Sequence, residues 1–307
     1  MKAFAIISAL LLFACQALPC VNYSGSGTKF NGEWTSGEPL RPVMQLRRAL
    51  NRDLERDGAQ MEAALRGSTN FNDRSDYSIA LMYLGRSKEA VELLQALEKE
   101  EPGHYFIAAN LGTAYELTGN NEEAARWIAE GIRRNPESHE GTEWLHLKIL
   151  EAKIAQEKDP DYFKKHSVLD LKPEHAAALV AVGDKRMESS EVAEAIQHQL
   201  HERMQFVKPP DPAVASLLFD YAAIEAANGT LESAEYILRL AVDYGYPPEQ
   251  VQPLMKMYDH RIAWRKTKQY SFYTLLGAGG IGLLVFFRTR GILVISRREL
   301  QTRDLTK

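Results

Sequence analysis

The chain has little cysteine and none of the short motifs that carry enzyme chemistry. Two cysteines, Cys15 and Cys20, stand among 307 residues, and no Cys-x-x-Cys metal or redox pair exists. No glycine-rich phosphate loop or nucleophile elbow is present, and no pair of histidines frames a glutamate as a zinc protease requires. Long runs of strand-like alternation are missing, which sets sheet architectures aside. Basic charge is not in excess, since 37 lysines and arginines face 41 aspartates and glutamates for a formal net charge of −4. The segment 288–307 carries +4 and Lys2 adds +1, so the stretch between carries −9. That acidity argues against nucleic acid, because gripping phosphates needs concentrated lysine and arginine.

The two ends hold what hydrophobic runs there are. Lys2 precedes a twelve-residue apolar run, 3–14, too short to span a bilayer and suited to a secretory signal. Small residues at Cys15 and Ala17 place cleavage after Ala17, giving a signal peptide over 1–17. The alternative is lipidation of Cys15 within Leu12-Phe13-Ala14-Cys15, to which Phe13 fits poorly. With Cys15 removed, Cys20 is a lone thiol in an oxidising compartment. A leader over 18–40, rich in glycine, serine, asparagine and threonine, reads as a flexible strap or an added strand. Near the other end, 271–287 has no charge across seventeen residues, at the lower limit of the ~17–25 needed to cross a membrane. Tyr270, Phe272 and Tyr273 gather at one edge and Arg288, Arg290, Arg297 and Arg298 follow the other. This predicts a transmembrane helix over 270–288 and a basic cytoplasmic tail over 289–307. The expected protein is single-pass at the cell membrane, with the intervening domain outside the cytoplasm, periplasmic in a Gram-negative envelope.

That domain, 41–269, is built on a repeat. Gly85 and Gly119, Ala90 and Ala124, and Pro102 and Pro136 are each 34 residues apart, the length of a helix-turn-helix unit that must stack to bury its apolar face. The glycines fall where a first helix ends, the alanines where two helices approach closely, and the prolines where a unit stops. Ala109-Asn110-Leu111-Gly112, then Tyr115, Gly119 and Ala124, resemble the pattern of the tetratricopeptide repeat. The resemblance implies an all-α, TPR-like solenoid, with its clearest repeats at 71–104, 105–138 and 215–248. The last is out of phase, Gly229 lying 110 residues after Gly119. Between them helices are expected around 140–156, 174–183 and 190–206, closed by Lys208-Pro209-Pro210-Asp211-Pro212. Upstream, 43–66 reads as an N-terminal helix pair turning at Asp57-Gly58. Leu81, Leu94, Leu97, Leu111, Tyr115 and Ile128 are expected in the core.

The resemblance also implies a concave groove. Asn110 stands where peptide-binding members of the family carry an asparagine that bonds a ligand's backbone, although Asp76, its counterpart in the preceding unit, departs from this. Tyr83, Phe106, Thr113 and Glu116 project toward the same groove by helical spacing, making a mixed aromatic and polar surface. The groove lysines and arginines of carboxylate-clamp members are missing. Trp127 and Trp144 read as core fillers between stacked helices, with recognition of a partner the alternative. His198 and His201, three apart on one helix, and His139 and His146 near Glu140 and Glu143, are possible metal pairs. For both the simpler reading is surface histidine. Glu98, Glu100, Glu101, Glu122 and Glu123 read as solvated. Asn22-Tyr23-Ser24 and Asn228-Gly229-Thr230 match glycosylation acceptors.

The expected function is a membrane-anchored scaffold for protein or peptide partners, without catalytic residues, cofactor or metal, and not an enzyme. The alternatives are a metal-dependent enzyme in the middle segment, and an assembly or secretion accessory that grips exported polypeptides.

Overall fold

The computed structural model describes residues 41–171, 179–182 and 185–290. The expected signal peptide 1–17, the leader 18–40 and the tail from 291 onward lie outside the described residues. The chain divides into two units, one ending at Gln252 and the other beginning at Pro253.

Helices α1 (Arg41–Leu50) and α2 (Leu54–Leu65) open the first unit. Their break differs from the expected one at Asp57-Gly58. Asp53 ends the linker by accepting a hydrogen bond from the Arg56 amide at 3.0 Å, the side-chain cap that starts a helix. Gly58 instead sits buried inside α2, and a Cβ there would lie 2.9 Å from that of Tyr83. Its lack of a side chain lets α2 lie close on the next helix. Nor do α1 and α2 form a pair: α2 packs on α3, and α1 packs on α9 much later in the chain.

The repeats follow as α3 (Phe71–Tyr83), α4 (Ser87–Glu100), α5 (Tyr105–Leu117) and α6 (Asn121–Arg134). Gly85 and Gly119 close α3 and α5 identically. Each has positive φ, 73° and 83°. The Gly85 amide donates to the Met82 carbonyl and that of Arg86 to Leu81, while Gly119 donates to Glu116 and Asn120 to Tyr115. This paired closure needs a left-handed residue and satisfies carbonyls that would otherwise face nothing. Ile79, Leu94, Leu97, Ile107 and Leu111 form one buried cluster, and Ala124, Ile128 and Leu150 a second. Arg134 on α6 ties the two repeats, donating to Glu98 at 2.7 and 2.9 Å and to the His104 carbonyl at 2.9 Å.

A 3₁₀ turn (Ser138–Gly141), α7 (Glu143–Lys158) and the short α8 (Tyr162–Lys165) come next. A helix was expected around 174–183, but Leu179–Val182 is a strand, β1, paired antiparallel with β2 (Lys185–Glu188). Val180 and Val182 are buried while Leu179 and Ala181 are exposed. Period two with β-branched residues on the inner face suits a strand. The fold is therefore mostly helical with one hairpin. Then come α9 (Ser189–Phe206), α10 (Pro212–Asn228) and α11 (Leu231–Asp243). The last two pack together, and α11 ends at Gly245 (φ 102°) with the same closure as the repeats.

Helix α12 runs Pro248–Thr289. Among the described residues, no helix is long and apolar enough to cross a membrane, so the expected span at 270–288 has no support from the fold. The side chains of Gly280, Leu284, Phe287 and Arg288 lie outside the described residues. Of the rest, Phe272, Leu275, Leu276, Ile281, Leu283, Val285 and Phe286 are exposed.

Candidate functional site

Tyr83, Phe106, Asn110, Thr113 and Glu116, expected on one groove, lie on α3 and α5. All five are buried, Asn110 completely. Tyr83 and Glu116 are covered by the chain's own α9, while Phe106 packs on Phe71, His104 and Tyr105 of the repeats. Phe206 packs on Tyr83 with ring centroids 5.5 Å apart, and both guanidinium nitrogens of Arg203 reach the Glu116 carboxylate. On the far side of α9, His201 Nδ1 lies 3.1 Å from the Gln45 carbonyl of α1. Arg52, in the linker after α1, donates to Gln205 at 2.8 Å and stands over the Tyr83 ring. The contacts on Tyr83 and Glu116 come from a helix that begins more than seventy residues after Glu116. Its residues carry no period-34 signal, which is why the repeat pattern does not announce it.

Beneath α9 lies a chain of buried charges. Glu116 accepts from Lys153 Nζ at 2.8 Å and from Arg203, and His146 Nε2 lies 2.9 Å from its other oxygen. The second ring nitrogen of His146 faces Glu143 at 3.4 Å. Glu143 in turn meets His139 Nδ1 at 2.8 Å, which is 3.8 Å from Glu202, and His198 Nε2 is 3.0 Å from Glu202. The run thus alternates acid and base from α5 through α7 to α9.

Burial opposes ionisation of Glu116, yet Arg203, Lys153 and His146 outweigh it and hold the carboxyl well below its usual range. Burial likewise opposes charge on His146, but its bonds to Glu116 and Glu143 prevail and raise its pKa. With Glu116 hydrogen-bonded at one ring nitrogen and Glu143 3.4 Å from the other, both carboxylates favour the charged form of His146. Glu143 is held low by His139 and His146 against the same burial penalty.

Sequence reasoning missed Lys153 and Arg203. The available signal was α9 itself, where Glu202 and Arg203 fall among apolar neighbours that a helix buries. The metal pairs also regroup. His198 joins His139 and Glu202, whose ligand atoms all lie within 4.8 Å of one another, while His201 turns to α1 and His146 to Glu116. Trp144 and His198 line a small cleft of about 70 Å³ with Glu191 and Glu194. Trp127 packs against the repeat core, flanked by Arg126 and Arg134. Asn228 donates to Ser189 at 3.1 Å and to the Ile224 carbonyl, a structural reason for its presence in the turn. Asn22 lies outside the described residues.

A wider cleft of about 450 Å³ opens at the turn edge of the stack, lined by Gly85, Arg86, Ser87, Lys88, Glu89, Leu117 and Thr118. Both repeats contribute to it through their reversing turns.

No curated protein and no solved structure matches the chain. The tetratricopeptide repeat family model matches residues 78–139, from within α3 to the 3₁₀ turn, and that stretch is similar to this protein-interaction repeat.

Proposed function

We propose that this protein is a docking scaffold held at a membrane, and that it receives partners on the turn edge of its repeats rather than in the groove. The observation that carries this reading is the burial of Tyr83, Phe106, Asn110, Thr113 and Glu116, with α9 seated on Tyr83 and Glu116. A partner entering the groove would have to strip Arg203 from a buried Glu116, and breaking such a pair costs about 3–5 kcal/mol. The groove is a joint of the fold. The turn-edge cleft, with Arg86, Lys88 and Glu89 around it, is open on the matched repeats.

Membrane attachment is supported by the uncharged run 271–287, the arginines after it and the apolar run after Lys2. The repeat domain stands outside the cytoplasm and the tail inside it. The reading makes no use of catalysis or nucleic acid.

Affinity capture from crosslinked cells tests it, comparing the native chain with Arg86→Glu plus Lys88→Glu and with Thr113→Val in the groove. The edge variant should lose partners while the groove variant keeps them, both with native helicity. Loss by the groove variant alone would reverse the assignment.

A further inference from the structure

We propose that His139, His198 and Glu202, with Glu143 beside them, form a binding site for one divalent transition-metal ion that fastens α9 to the turn before α7. This goes beyond the scaffold reading and does not depend on where partners dock.

Three observations converge on it. The donor atoms of His139, His198 and Glu202 come from two separate elements and lie within 4.8 Å of one another. Contacts of 2.8 Å (His139 to Glu143), 3.0 Å (His198 to Glu202) and 3.8 Å (His139 to Glu202) bracket the separation of about 3.3 Å between ligand atoms around a tetrahedral zinc with bonds near 2.0–2.1 Å. Moreover, His198 Nε2 approaches Glu202 at 3.0 Å but makes no hydrogen bond there. Two donor atoms that meet closely and out of line for a shared proton are disposed as ligands of one ion.

The second observation is backbone strain. His139 holds φ at 50°, the left-handed region that costs a side-chain-bearing residue energy and that persists where its surroundings demand it. In the 3₁₀ turn this brings its ring 5.4 Å, centroid to centroid, from that of His198.

The third is access. The small cleft that ends on His198 carries Glu191 and Glu194 among its lining residues, both exposed, and acidic walls raise the local concentration of cations. Inside, the buried carboxylates of Glu143 and Glu202 add negative charge beside the two imidazoles. Two imidazoles with carboxylate oxygen suit zinc and its first-row neighbours better than calcium or magnesium, which take oxygen alone.

The test uses the whole chain in mild detergent, purified without a histidine tag and stripped with chelator. Titration with zinc should show one site per chain, and cobalt(II) in its place should give the visible absorption of a four-coordinate ion. His198→Gln, at the partly open edge of the site, should retain native helicity and weaken zinc by more than the roughly 10–100-fold that a supporting residue costs. His139→Ala should do the same. His201→Ala, whose ring turns to α1, should leave both stoichiometry and cobalt spectrum unchanged. Absence of zinc binding, or zinc binding that survives both His198→Gln and His139→Ala, overturns the proposal, as does equal loss in His201→Ala.

Discussion

Glu116 concentrates more of this molecule's electrostatics than any neighbour, since a lysine, an arginine and a histidine from two later helices converge on one carboxylate. Glu116→Ala would remove the carboxylate on which the buried Arg203 and the half-buried Lys153 converge, and is expected to cost about 3–5 kcal/mol in a urea melt. The same network sets a pH window. The folded carboxyls of Glu116 and Glu143 lie below their ordinary 4.5, so their contribution is present above that pH and is lost as acid approaches the folded pKa. His146 lies above its ordinary 6.5, so its contribution is present below 6.5 and fades as pH rises through the folded value. Stability from this cluster is therefore greatest between about 4.5 and 6.5. Asp220, pushed up to about 7 by burial, adds its own decline from 3.8 upward. Melts of the native chain and of His146→Gln across the same series separate them: the difference between the two should shrink as pH rises above 6.5, and a constant difference would remove the histidine from the account. At this scale the sequence was a poor guide. In sequence His146 and Arg203 look like ordinary charges on helix faces and Glu116 like a groove residue, and only the folded neighbourhood makes them a network.

Helices were more legible, because spacing along one element is written locally. The 34-residue separation of Gly85 and Gly119 placed two turns that the structure closes with the same pair of hydrogen bonds. Ala124, fully buried, clusters with Ile128 and Leu150 in the core around α6. Ala124→Trp should overpack that cluster and cost about 1–3 kcal/mol, read as a lowered melting temperature with helicity retained below it. Gly112 belongs to the same seam, since a Cβ there would come within 2.5 Å of the Ile128 side chain. Local pattern failed where a short segment could serve two structures. The stretch 179–182 is apolar enough for a helix, and alternation over four residues is too brief to decide against one. It failed also at 43–66, where the turn was placed at a glycine. The glycine answers to packing by Tyr83, a residue that the pattern of that segment does not contain.

At the scale of the whole molecule, the first unit departs from a simple stack. In a repeat array each unit touches its neighbours alone, and stability is a sum of nearest-neighbour terms. Here Arg52 meets Gln205 across 153 residues, and Arg47 meets Tyr236 across 189. Chemical denaturation followed at several probes should therefore give one coincident transition for 41–252, and separate transitions for the matched repeats and for α9–α11 would contradict this closure. Topology is a further test. A cytoplasm-dependent reporter fused after Lys307 should be active, and external protease should spare the last twenty residues; activity of a reporter that works only outside the cytoplasm would refute the orientation.

The seat of α9 finally fixes an order of events in time. Residue 206 leaves the ribosome long after Glu116 and Tyr83, so the two matched repeats emerge with their inner face bare and an acid lacking its arginine. Contacts of such long sequence separation pay their loop-closure entropy late. The repeats must wait, incompletely packed, until α9 arrives. During that interval they expose the surface most prone to wrong association, and a chaperone that shields it would be needed most by this part of the chain.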